Sequence, residues 1–257
     1  LSNYGKVDIL WLDGGWVKKM GDEEVRNYRL GQGNKYSRVQ SQDIRMDELV
    51  AKAREKQPGL IVVDRAVYGK NQNYLTPENR VPEKALPYPW ESCIIAGGGW
   101  AWVPDPKFMS PREAVHLLVD IVVKGGNLLL NIGPAPDGTW PPEAYTLLEE
   151  IGKWMKVNGE AIYGTRAMAP HKEGKTCITR KGDDTWYVYY MADEGEQMPA
   201  TITVTGLTLP AGAKVTFTGS GAACRWKNGT DSFNLFPPSQ VRNHPPSEYI
   251  WVMKIAL

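Results

Sequence analysis

Four short apolar stretches limit the fold more than anything else in this chain: residues 7–12, 60–63, 93–96 and 127–132. A strand with one face in water alternates apolar and polar residues. Leu60-Ile61-Val62-Val63 and Leu128-Leu129-Leu130 do not alternate, so they belong to strands covered on both faces, as in parallel sheets flanked by helices. The segments between them have helical spacing. Asp47 to Lys56 carries Leu49, Val50 and Ala53 and stops at Pro58-Gly59. Ser110-Pro111-Arg112-Glu113 has the form of a capping box with proline at the first helical position. It leads into Val115, Leu118, Val119 and Val122 on one face, and the pattern ends at Gly125-Gly126. A third helix carries Leu147, Leu148, Ile151, Trp154 and Met155, with Thr139 as its expected N-cap and Asn158-Gly159 as its expected C-cap. Strand and helix thus alternate through residues 7–160, the order of parallel β/α units. A closed eight-stranded barrel of such units takes about 250 residues. The four visible here predict the second half of a (β/α)8-like barrel.

The pattern changes after Tyr163-Gly164. Thr185-Trp186-Tyr187-Val188-Tyr189-Tyr190, Ala200-Thr201-Ile202-Thr203-Val204, Lys214-Val215-Thr216-Phe217 and Tyr249 to Ile255 are short and β-rich, with Gly, Pro, Asn and Asp turns between them. They predict a small antiparallel β-sandwich. The expected division is therefore residues 1–164, the barrel part, and residues 165–257, the β-sandwich. A length of 257 residues suits one large or two modest domains. The chain has no initiating methionine or signal-peptide pattern and opens almost directly into its first strand, which reads as the middle of a longer polypeptide.

The formal charge of +1 gives no basis for a nucleic-acid or acidic-membrane partner. No apolar run is long enough to span a bilayer. Cys93, Cys177 and Cys224 lie far apart, as do His116, His171 and His244, so neither a disulfide framework nor a metal site is expected. No cofactor is implied. The compositional oddity is ten tryptophans, several beside acidic residues and glycines, which is the pattern of a carbohydrate pocket.

The first strand ends in Trp11-Leu12-Asp13-Gly14-Gly15-Trp16. A carboxylate at the carboxyl end of a parallel strand stands where barrel enzymes keep catalytic groups, although an Asp-Gly turn is also common by itself. The second strand likewise ends on Asp64-Arg65. After the third strand comes Gly97-Gly98-Gly99-Trp100-Ala101-Trp102. It lacks the lysine and Ser/Thr of a phosphate cradle, and reads as a flexible loop that brings two tryptophans to a pocket. A glycosidase needs two carboxyl groups about the scissile bond. With Asp13 as the first, Glu78, Glu83 and Glu91 are candidates for the second. Glu91 is preferred because Tyr88, Pro89 and Trp90 promise rigid, apolar surroundings that would raise its pKa, as a proton donor needs.

Five blocks resemble one family: Ile9 to Trp16, Val63-Asp64-Arg65, Pro89-Trp90-Glu91-Ser92-Cys93, Gly125 to Pro134, and Ile151-Gly152-Lys153-Trp154 running into Asn158 to Gly164. In sequence, order and spacing they resemble the α-L-fucosidases of glycoside hydrolase family 29, strongly over residues 7 to about 165 and weakly beyond. The resemblance implies a retaining, exo-acting hydrolase that removes terminal α-L-fucose from an oligosaccharide or glycoconjugate. It implies Asp13 as nucleophile and Glu91 as acid/base, with Glu78 as second choice. Trp11, Trp16, Arg65, Trp100 and Trp102 are then sugar-binding groups. The Gly-Gly-Asn strand is read as structural. A secreted, periplasmic or lysosomal location is expected by resemblance alone. One departure matters: family members carry a paired-histidine segment and further sugar contacts in the front half of the barrel, which this sequence lacks. It is expected to need that half, and by itself to bind fucose weakly and turn over little. The alternatives are another exo-glycosidase specificity on the same scaffold, such as a β-galactoside, or a non-catalytic sugar-binding protein.

Overall fold

The computed structural model describes residues 1–3, 5–13, 45–64 and 70–257. The chain forms two compact units, Leu1–Thr76 and Pro77–Leu257. The long loop expected over 17–43 lies outside the described residues.

The first unit is a β/α/β arrangement. Strand β1 (Ile9–Leu12) pairs in parallel with β2 (Ile61–Asp64), with Ile9 opposite Ile61 and Leu12 opposite Asp64. Helix α1 (Met46–Lys56) joins them across one face of the pair. Its Met46, Val50 and Ala53 form a core with Leu60 and Val62, against which Leu10 and Leu12 pack. Leu49, expected on that face, is exposed instead, and Met46, four residues before Val50, takes its place. Gln57 ties down the chain entering β1. Its Nε2 donates to the carbonyls of Leu1 and Gly5 at 2.8 and 2.9 Å, and its Oε1 accepts from Val7 N–H at 2.7 Å.

The second unit begins with another parallel pair, β3 (Trp90–Ile95) and β4 (Gly126–Asn131), in register from Trp90 opposite Gly126 to Ile95 opposite Asn131. Helix α2 (Pro111–Val123) connects them and α3 (Pro142–Asn158) follows. The capping box is present: Ser110 Oγ accepts from Glu113 N–H, and the Glu113 carboxylate accepts from Ser110 N–H at 2.7 Å. The ends of α3 differ from expectation. Thr139 donates from N–H and Oγ to Asp137 Oδ1, closing the turn before the helix, and the N-cap is Pro141, with no side-chain bond. At the other end Gly159 keeps a right-handed conformation and begins a short 3-10 turn, Gly159–Ala161; the left-handed glycine is Gly164.

Eight antiparallel strands follow: β5 (Arg166–Glu173), β6 (Thr176–Lys181), β7 (Thr185–Met191), β8 (Ile202–Thr205), β9 (Lys214–Phe217), β10 (Ala223–Asn228), β11 (Ser232–Phe236) and β12 (Ile250–Ala256), with the short helix α4 (Ser239–Asn243) before the last. The antiparallel β-region expected from the sequence is there. In place of two facing sheets, hydrogen bonding runs unbroken through one sheet in the order β5-β6-β7-β12-β9-β10-β11-β8, and β8 comes back against β5 and β6. The enclosed core holds Val188, Ile202, Phe217, Phe233, Leu235 and Met253. The outer face of β6, β7 and β12 is equally apolar. Tyr187, Tyr189, Ile250 and Val252 pack there against Val115, Val119 and Val123 of α2 and Trp154 of α3. Strands buried on both faces explain why β7 and β12 read as continuous apolar runs. Among the described residues no helix is long and apolar enough to cross a membrane.

Candidate active site

Two strand ends carry the chemistry singled out in the sequence. In the first unit Asp13 directly follows β1 and is exposed, beside the register pair Leu12 and Asp64. Trp11 is half-buried. It alternates with Leu10 and Leu12, which pack on α1, so its ring lies on the sheet face away from the helix. Trp16 and Arg65 lie outside the described residues.

In the second unit Glu91 is not in a loop before the third strand. Strand β3 starts at Trp90, three residues earlier than expected, and Glu91 is its second residue, half-buried and opposite Asn127. This changes its surroundings. Neighbours in a strand point to opposite faces. Trp90 is buried on the helix side, where its Nε1 donates to Lys124 O at 3.3 Å and its indole fills the space a side chain at Gly126 would need, 2.4 Å from where a Cβ would lie. Tyr88 is 60% exposed. The apolar wall expected around Glu91 is therefore not made by these neighbours. Glu91 also stands at the amino end of β3, about four residues or 13 Å below its carboxyl end.

Glu78 lies nearer that carboxyl end. Residues 77–79 run parallel to β3: Cys93 N–H donates to Pro77 O, Asn79 N–H donates to Cys93 O, and Ile95 N–H donates to Asn79 Oδ1 at 3.1 Å. Glu78 is exposed at this edge, and Glu83 is exposed farther along the loop.

The carboxyl end of β3 and β4 is built from glycines and tryptophans. The loop 96–109 folds back on itself, with Met109 N–H on Ala96 O and a bridge between Gly97 and Phe108. Its glycines serve close packing rather than flexibility. A Cβ at Gly97 would lie 2.5 Å from the Phe108 ring, and one at Gly98, whose φ is +72°, would lie 2.7 Å from Val103. Trp100 and Trp102 project from this tight loop 44% and 43% exposed. The sequence missed what holds it: Asn131 Nδ2 donates to Trp100 O at 3.2 Å, and Gly133 lies directly under the Ala101–Trp102 peptide. Those glycines and the asparagine were visible as a motif, but nothing in the sequence says what comes close to them. Among the described residues no three His, Cys, Asp or Glu side chains are grouped to hold a metal ion.

The family model for alpha-L-fucosidase matches residues 1–160, which include both strand pairs and this rim. The chain belongs to the alpha-L-fucosidase family. It is 28% identical to human tissue alpha-L-fucosidase over 99% of this chain and 53% of that protein, and 37% identical to rat plasma alpha-L-fucosidase over 46% and 26%. Among solved structures it resembles alpha-L-fucosidase isoenzyme 1 from Paenibacillus thiaminolyticus, with TM-score 0.75 and 26% identity over 100% of this chain and 59% of that one. It also resembles Thermotoga maritima alpha-fucosidase in complex with a mechanism-based inhibitor, with TM-score 0.70 and 27% identity over 83% and 49%. This fucosidase-family chain thus spans about half the length of the curated relatives it matches.

Proposed function

We propose that this chain supplies part of the active site of a retaining exo-α-L-fucosidase, with its parallel β/α units, roughly residues 1–164, forming the second half of a (β/α)8-like barrel and the rest a β-domain. The family match over residues 1–160 carries this reading, and the position of Asp13 at the carboxyl end of β1 agrees with it.

The chemistry is double displacement. Asp13 attacks the anomeric carbon while a protonated glutamate donates to the departing oxygen. A water molecule, deprotonated by the same glutamate, then attacks the glycosyl-enzyme and releases fucose with its configuration retained. In retaining glycosidases the two carboxyl groups stand about 5–5.5 Å apart. Glu91 is favoured by the Trp-Glu motif. Glu78 is favoured by its place nearer a carboxyl strand end, and we give it the acid/base role on that ground. Trp11, Trp16, Arg65, Trp100 and Trp102 are the proposed sugar contacts, and the C5 methyl of fucose gives an apolar ring something to cover. The remaining sugar contacts are proposed to come from the front half of the barrel, so the 257-residue chain alone should turn over little.

The test uses the full-length polypeptide that contains these residues, with 4-nitrophenyl α-L-fucoside. NMR of the first product should show α-fucose, and Asp13→Ala should lower kcat by more than about 10³-fold. Glu78→Ala should be restored by added azide, whereas restoration of Glu91→Ala instead would return the acid/base role to Glu91. Wild-type hydrolysis of a β-galactoside but not the fucoside, or fucose binding without turnover, would overturn the proposal.

A further inference from the structure

The block Gly125 to Pro134 has no part in the proposed chemistry, yet its carboxyl end touches the tryptophan loop at several points. Asn131 is the last residue of β4. Its backbone carbonyl accepts from Ala96 N–H at 2.9 Å, where the loop begins. Its side-chain Nδ2 lies 3.4 Å from Gly99 O and 3.2 Å from Trp100 O, and donates to both. Two residues on, a Cβ at Gly133 would lie 2.5 Å from Ala101 C, 2.7 Å from its O and 2.7 Å from Trp102 N. Those are backbone atoms and cannot swing aside. The main chain from Gly99 to Trp102 is thus held by a carboxamide at one end and seated on a bare glycine at the other.

We propose that Asn131 and Gly133 are positioning residues that fix the Trp100–Trp102 loop for sugar binding. Had the clamp served packing alone, the rings it holds would be buried. They are not, while the peptide beneath them is fixed. Holding the backbone of a binding loop lowers the entropy lost when a ligand orders it. The inference rests on the fucosidase reading for its ligand but not for its geometry.

Asn131→Asp separates positioning from space-filling. It keeps the size, but it removes both donors and sets a carboxylate against two carbonyl oxygens. The full-length protein is labelled with 5-fluorotryptophan, and Trp100 and Trp102 are assigned by Trp→Phe substitution. In Asn131→Asp and Gly133→Ala their ¹⁹F resonances should shift or broaden, while those of Trp154 and Trp226 stay in place. KM for the fucoside should rise about tenfold, as expected for the loss of two hydrogen bonds, with kcat within about twofold. Unmoved Trp100 and Trp102 resonances, or a wild-type KM in Asn131→Asp, would overturn the proposal. So would movement of every tryptophan resonance together, which marks a fold-wide effect. A wild-type protein that neither binds nor hydrolyses the fucoside would sink the fucosidase reading instead, and the ¹⁹F comparison would still decide whether the clamp exists.

Discussion

The second unit has two seams that differ in kind. At the carboxyl end of β3 and β4, backbone lies on glycine, and Trp100 and Trp102 stand outward. Between the helices and the eight-stranded sheet, large side chains interlock and almost nothing is exposed. Trp154 is 2% exposed there and donates to Ile250 O at 3.0 Å. Fully buried Asn158 accepts from Thr218 Oγ. Gly219 sits where any Cβ would meet Val157 at 2.4 Å. The first seam leaves apolar rings in water at some cost, which makes sense where a ligand covers them. The second removes apolar area from water, the main source of stability. Substitutions at the two seams should therefore fail in different ways.

The largest effect should come from cutting the second seam altogether. A chain ended after Gly164 uncovers Val115, Val119, Val123 and Trp154, all buried against the sheet. Residues 1–164 are expected to be insoluble, or to bind a hydrophobic dye and lose their near-ultraviolet circular dichroism. A soluble monomer with native aromatic signals would show that the helices and the sheet fold independently, and the second seam would be no more than a docking contact.

Single substitutions sharpen the contrast. Trp154→Ala should lower unfolding free energy by about 3–5 kcal/mol, while kcat/KM per folded molecule stays near wild type. Trp100→Ala should do the reverse. Its stability should change by no more than about 0.5 kcal/mol. Removing an aromatic cover worth about 1.5–3 kcal/mol should lower kcat/KM for a fucoside roughly 10- to 100-fold. Urea titration and kinetics on the same preparations check both halves. Equal stability losses would mean that the rim is part of the core.

Local signals were legible in the sequence, and proximity was not. Ser110, Pro111 and Glu113 announce the start of α2 because a capping box acts within one turn. Val62 and Val63 are both fully buried, but Ile61 and Leu129 are 40% and 46% exposed, so the unbroken apolar runs of β2 and β4 are covered only in part, not on both faces throughout as their sequence predicts. Trp90 and Glu91 were misplaced by a strand boundary of only three residues, yet the period of two turned a supposed apolar wall to the opposite face. Strands β5, β6, β10 and β11 lack a clear apolar pattern: charged residues interrupt the first three, as in Ala223-Cys224-Arg225-Trp226-Lys227-Asn228, and β11 is only five residues with Ser232 and Asn234 among its apolar ones. In the candidate site, Asp13 falls at a strand end as its neighbours suggested. The contacts of Asn131 with a loop some thirty residues away depend on the folded chain, and no local pattern encodes them.

The smallest predicted effect comes from the polar edge of the buried seam. Asp120 of α2 accepts from Lys124 at 2.7 Å and from Lys172 of β5 at 3.0 Å, with its side chain 18% exposed. Burial by itself raises a carboxyl pKa, but hydrogen bonds from the two lysines and their charges outweigh it, so Asp120 is held below the ordinary 3.8. A depressed folded-state pKa adds stability that is fully present above the unfolded value and lost as pH falls through the lower folded one. Asp120→Asn should therefore cost about 1–2 kcal/mol at neutral pH, and its difference from wild type should hold from pH 7 to about 5 and shrink below about 4. Urea unfolding across that range measures it. Arg180–Asp183 is the control, since Asp183 is fully exposed, and breaking that pair should change nothing measurable. If Asp120→Asn were equally silent, the lysines would be decorating the seam, and its strength would rest on the apolar contacts of Trp154 and its neighbours alone.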